Sequence, residues 1–179
     1  MSDRSVIHDT VVVRRLYETS AERVYRAWTD AALLERWYVP GDEKWAAKIV
    51  EHDFRVGGGK RITFGPPGET FVEDCRYVDV VPNRRICYAM TIARGDTRIT
   101  VSMVTVELTP QGSRTSVRVT DQLAILDGGD TAKDRERGWG ETLDKLPPVL
   151  DRTMKLPATA RNWNTVLKLL SMAEELSSS

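Results

Sequence analysis

The 179 residues carry 26 Lys plus Arg against 26 Asp plus Glu, a formal net charge of zero, with 41% hydrophobic and 29% charged residues. That length suits one ordinary domain, and balanced charge leaves no electrostatic footprint for nucleic acid or an anionic membrane. No run reaches the roughly 20 apolar residues of a membrane span and "MSDRSVIHDT" lacks the apolar stretch of a signal peptide, so a cytoplasmic location is expected.

The chain opens with a β-branched run, Val11 to Val13, which reads as a strand. In "SAERVYRAWTD" the period changes: Val24, Ala27 and Trp28 recur at helical spacing behind Ser20, a good N-cap. Asp30 can cap a second short helix whose Leu33, Leu34 and Trp37 share a face before Pro40 and Gly41 stop it.

From Trp45 to Gln122 short β-rich runs alternate with turn chemistry: "KIVEHDF", "GGGKRITF", "ETFVEDCRYVDVV", "RRICYAMTI", "TRITVSMVTVELT" and "TSVRVTDQL". Connections this short imply hairpins and an antiparallel meander. Apolar residues on alternate positions, such as Ile62 and Phe64 or Ile86, Tyr88, Met90 and Ile92, mean that one face of the sheet is covered.

The cover is a helix starting near 131. Thr131 and Asp134 resemble a capping box, and Ala132, Trp139, Leu143 and Leu146 form one stripe. Gly138 and Gly140 flank Trp139 and are expected to let the helix backbone approach its neighbours closely while the indole points inward. Pro147 removes the amide that would bond the Leu143 carbonyl, which predicts a kink or break. A tail beyond residue 152 carries a further amphipathic pattern, Trp163, Val166, Leu167, Leu170 and Ala173, that needs a partner surface on this chain or on a second copy.

Four segments, "VVVRRLYETSAERVYRAWTDAALLERWYVP", "HDFRVGGGKRITF", "YVDVVPNRRICYAM" and "GWGETLDKL", resemble the signatures of the heat-shock ATPase activator homologue family of the SRPBCC (START and pollen-allergen-like) superfamily, over residues 9 to 152. The resemblance implies an α+β helix-grip fold: a curved antiparallel β-sheet wrapped around a long C-terminal helix, two short helices after the first strand, and a cavity between sheet and helix. It divides the chain into a helix-grip domain at 1–152 and an extension with a short amphipathic helix at 153–179. The superfamily spans lipid carriers, cyclases, stress proteins and co-chaperone domains, so fold does not settle activity. The chain departs from the pattern at its paired prolines, in its tail, and at "TDQ", 120 to 122, where many relatives place a histidine.

His8 and His52 are the only histidines, which leaves no basis for a histidine-rich metal site or a histidine-dependent triad. Cys75 and Cys87, on the arms of one hairpin turning near Asn83 with Cys87 opposite about Val80, are too far offset for a disulfide. Gly57 to Gly59 lack the lysine and helix of a phosphate loop and read as a tight turn. Asp121, Glu73 and Asp79 have two readings, a general base beside an apolar cavity or solvated residues of the outer face, and the second is the expectation.

Trp37, Phe64, Tyr77, Tyr88, Met90, Met103, Trp139 and Leu143 stand either as core or as the lining of the pocket that the resemblance implies. The function expected is the binding of a small apolar or aromatic ligand between sheet and helix, without catalysis, cofactor or metal. The alternatives are a cyclase- or hydrolase-type enzyme acting on a hydrophobic substrate, and a domain that docks on a chaperone ATPase, as the eukaryotic relatives imply.

Overall fold

The computed structural model describes residues 4–38 and 45–151. Strand β1 (Val6–Tyr17) leads into α1 (Ala21–Thr29) and α2 (Ala31–Leu34). Ser20 Oγ accepts the Arg23 amide at 3.4 Å, and Asp30 Oδ1 accepts those of Ala32 and Leu33 at 3.0 and 3.2 Å, so both caps fall where the sequence puts them. Six strands follow: β2 (Ala46–His52), β3 (Gly59–Gly65), β4 (Phe71–Val81), β5 (Arg85–Arg94), β6 (Thr97–Gln111) and β7 (Arg114–Leu126). Their order across the sheet is β1-β7-β6-β5-β4-β3-β2, every pair antiparallel, with β1 returning beside β7.

Alternation along the strands sorts the side chains onto two faces. Ile86, Tyr88, Met90 and Ile92 of β5 and Val104, Val106 and Leu108 of β6 turn inward and are buried, as are Val117, Val119 and Leu123 of β7. Bulges at Tyr77/Asp79 and Ile92/Ala93 break the register. The first sets Cys87 opposite Asp79 instead of Val80, and Cys75 pairs with Met90; both thiols are free. The glycine-rich run is the expected tight turn: Gly57 has φ of 81°, and a Cβ on Gly58 would meet the Asp53 carbonyl oxygen at 2.1 Å.

The lid, α3 (Ala132–Asp144), starts at Thr131, whose Oγ1 accepts the Asp134 amide at 3.0 Å. It crosses the inner face on the β1, β7 and β6 side. The Tyr17 hydroxyl donates to the Leu143 carbonyl at 2.8 Å, and Arg15 reaches Asp144 at 2.7 and 3.0 Å. Trp139, Leu143 and Leu146 are buried, and the helix ends before α4 (Pro147–Asp151), which makes the proline-induced break a fact of the fold.

The two glycines of the lid differ. A Cβ on Gly140 would lie 3.2 Å from Arg15 Nη2, which donates to the Gly140 carbonyl at 3.3 Å, so close approach is real there. Gly138, expected to seat the helix equally closely, has no atom within 4 Å of where its Cβ would be. The stop at Pro40 and Gly41 and the tail stripe from Trp163 to Ala173 lie outside the described residues.

Candidate functional site

Because α3 is anchored on β1, β7 and β6, it leaves the inner face of β3 to β5 incompletely covered. Between them lies a cavity of ≈ 1020 Å³. One wall is aromatic. Trp45 lies almost parallel to Phe71 (ring centroids 5.7 Å apart, 3° between planes) and to Phe64 (6.1 Å, 21°). Met90, Ile92 and Ile99 continue it, and α3 contributes Arg135, Gly138, Trp139 and Thr142 from the opposite side. Gly138 is thus open to the cavity rather than pressed against the sheet, which is why its missing Cβ meets nothing.

The inner wall is not wholly apolar, because Glu73 shares strand parity with Phe71, Cys75 and Tyr77. Its carboxylate, 4% exposed, takes Lys60 Nζ at 2.8 Å. The Tyr38 hydroxyl donates to Glu73 at 3.2 and 3.3 Å, and the Cys75 thiol donates to Oε1 at 3.2 Å. Lys60, itself 2% exposed, sits over the Tyr38 ring at 3.6 Å and the Tyr88 ring at 5.3 Å, so π faces complete its surroundings. Burial works against that ammonium, yet Glu73 holds it above its ordinary range. Burial, with the Glu73 charge alongside, pushes the Tyr38 hydroxyl and the Cys75 thiol upward. Both stay protonated and serve as donors.

A second polar group lies behind Trp139. The indole Nε1–H donates to Asp121 Oδ2 at 3.0 Å, and Arg135 Nη1 stands 3.8 Å from the same oxygen. Arg135 Nη2 donates to Thr100 Oγ1 and to Asp130 Oδ2, each at 2.8 Å. Burial raises the Asp121 carboxyl, against the pull of Arg135 and Trp139.

Two of the three carboxylates assigned to the outer face are therefore inside it. Glu73 is 3% and Asp121 0% exposed, whereas Asp79 is half-exposed and paired with Arg85 at 2.6 Å, as an outer-face residue should be. The signal was available: Asp121 falls on the same alternate positions as Val117, Val119, Leu123 and Ile125.

Of the eight candidate ligand residues, Phe64, Met90 and Trp139 line the cavity. Trp37, Tyr77, Tyr88 and Leu143 are buried in the packed core beside it: Trp37 Nε1–H donates to the Ala27 carbonyl at 3.0 Å, and Tyr77 packs on Phe54 at 4.7 Å. Met103 is on the opposite face, 38% exposed, because its parity in β6 is that of Val101 and not of Val104. The residues missed were Tyr38, Trp45, Phe71, Ile92, Ile99, Glu73 and Arg135. Among the described residues no cluster of three or more His, Cys, Asp or Glu is arranged to hold a metal ion, and no helix is long and apolar enough to cross a membrane.

The same architecture recurs in solved structures. A protein from Rhizobium loti is 40% identical, matching 81% of this chain and 99% of its own with a TM-score of 0.73. An uncharacterized protein from Rhizobium leguminosarum is 33% identical over 84% of this chain and 99% of its own, with a TM-score of 0.76. A Chromobacterium violaceum protein is 28% identical, over 79% and 96% respectively, at 0.69. None of the curated proteins matches the chain. The family model described as "Activator of Hsp90 ATPase homolog 1-like protein" matches residues 18–151. With most of its length matched in this way, the chain belongs to the Activator of Hsp90 ATPase homolog 1-like family.

Proposed function

We propose that the chain is a small-molecule binding protein that holds an apolar or aromatic ligand between the inner face of β3 to β5 and α3 without converting it. The observation that carries the reading is the cavity itself: ≈ 1020 Å³ of space walled by Trp45, Phe64, Phe71, Met90, Ile92 and Ile99. That is the upper end of the sizes that enclose drug-like ligands, roughly 300 to 1,000 Å³, and an apolar inner wall with buried polar groups such as Glu73 is what such sites use, while the charged residues of α3 border the other side. A close-packed core would leave no space of this size beside its apolar side chains. The neutral fluorophore Nile red, which gains emission in apolar surroundings, should bind at one site, and Ile92→Trp or Gly138→Trp should abolish uptake with secondary structure unchanged. Uptake unaffected by both substitutions would place the fluorophore elsewhere and defeat the reading.

One observation favours an enzyme instead, the charged groups on the cavity wall. Most are paired with each other: Glu73 with Lys60, Arg135 with Asp130, and Arg137 with Asp134. Groups committed in this way orient a ligand more readily than they move its protons. Turnover of a hydrophobic ester that disappears in Glu73→Gln would establish the enzyme. The family description raises the co-chaperone reading, for which stimulation of an Hsp90 ATPase by the purified chain is the direct measurement.

A further inference from the structure

The Glu73 carboxylate has an uneven set of partners. Oε1 takes the Lys60 ammonium at 2.8 Å, the Cys75 thiol at 3.2 Å and the Tyr38 hydroxyl at 3.2 Å. Among the described residues Oε2 has only the Tyr38 hydroxyl, at 3.3 Å, and that single hydrogen is shared with Oε1. An ionised carboxylate offers about four acceptor sites, and leaving them unused in a buried place is unfavourable. Glu73 is 3% exposed, and the space it borders is the cavity. A ligand atom is the natural donor.

We infer that the cavity selects neutral aromatic molecules bearing a hydrogen-bond donor, such as phenols, arylamines or N–H heterocycles, and that Glu73 Oε2 accepts the donated hydrogen. This rests on the cavity reading above. The aromatic character follows from the nearly parallel Trp45, Phe64 and Phe71 rings, which stack on one another along the cavity and form an array that an aromatic plane can extend by offset stacking. Neutrality follows from the ion pair. Lys60 already cancels the Glu73 charge, so a cationic ligand would be desolvated beside a buried ammonium, and an anionic one would be desolvated beside a carboxylate. A neutral donor meets neither cost. Cys75 and Tyr38, held protonated, spend their hydrogens on Glu73 and keep it oriented toward the cavity.

The test compares ligands of one shape against the wild-type chain, each displacing bound Nile red. 2-Naphthol should displace it at a concentration about tenfold or more below that of 2-methoxynaphthalene, since a hydrogen bond to a charged group separates them. 2-(Aminomethyl)naphthalene, cationic at neutral pH, should be weaker than 2-naphthol. Equal potency of naphthol and its methyl ether would overturn the inference while Nile red uptake left the cavity reading intact, and a cation as potent as naphthol would overturn the neutral selection. In the double variant Lys60→Met with Glu73→Met, which removes the pair together, Nile red should still bind and the preference for naphthol should largely vanish. Its persistence there would take the donor site away from Glu73. Should that variant not fold, the ligand series on the wild-type chain decides alone, and no Nile red uptake by the wild type would bring down both readings.

Discussion

The inner face of the sheet has two halves built from the same alternation and finished differently. Beneath α1 and the middle of α3, the β1, β7 and β6 half is closed: Val104, Val106 and Val117 are fully buried, and Trp28 lies 4.8 Å from Trp37 and 6.4 Å from Trp139 between ring centroids. Under the other edge of α3, the β3 to β5 half borders the cavity among the described residues, and its aromatic residues Trp45, Phe64 and Phe71 stack on one another along that wall. What separates them is the seat of the helix. Tyr17, Arg15, Asp121 and Thr100 tie α3 to one side, so its side chains border the other half without filling it.

The sharpest way to break that division is Trp139→Ala, because the indole belongs to both halves. It fills the closed one, lines the open one and, when removed, takes one hydrogen-bond donor from Asp121. Losing a buried ring of this size should cost roughly 3 to 5 kcal/mol, read as a lowered denaturation midpoint; an unchanged midpoint would mean the closed half does not depend on this contact.

A pH measurement probes the closed packing around Tyr77. Burial pushes its phenol up to about 12, whereas a phenol open to the cavity would ionise near its ordinary value of 10.0. The folded state therefore keeps a proton that the unfolded chain releases. Stability from this group is complete below pH 10 and is lost as pH rises from 10 toward 12, by up to about 2 to 3 kcal/mol. Tyr77→Phe, followed by urea denaturation at each pH, should flatten part of that alkaline decline; an unaltered slope would show that Tyr77 is solvated.

The halves should also differ in their tolerance of added bulk. Val104→Phe overpacks the closed half at an expected cost of about 1 to 3 kcal/mol, while Ile92→Phe grows into the cavity and should cost less than about 1 kcal/mol. Equal penalties would mean the cavity is not available space. The smallest effect separates the lid's two glycines. Gly138→Ala should stabilise by up to about 1 kcal/mol, since its methyl meets nothing and alanine favours the helix. Gly140→Ala should gain less because that methyl meets Arg15 Nη2 at 3.2 Å. Paired thermal unfolding curves measure the difference.

Local chemistry made much of this protein legible without its structure. Ser20, Asp30 and Thr131 cap helices through hydrogen bonds made within three residues, Pro147 ends α3 through its own missing amide, and short turns dictate antiparallel neighbours; each is decided over a few residues and so can be read from them. The family signatures carried the rest of the fold. Only the tertiary structure decided which face each alternating set would occupy and how completely it would be covered. Glu73 and Asp121 belong outside by residue type, yet their parity puts them inside, where Lys60, Arg135 and Trp139 from distant segments supply the partners that make burial tolerable. Met103 is apolar but its parity puts it outside. Gly138 and Gly140 are alike in sequence and differ because one faces Arg15 of β1 and the other the cavity. Periodicity determined the stripes in this chain; the docking of α3 on one side of the sheet determined which stripe became core and which became a site, because a helix can bury only the neighbours that its anchor points bring within reach.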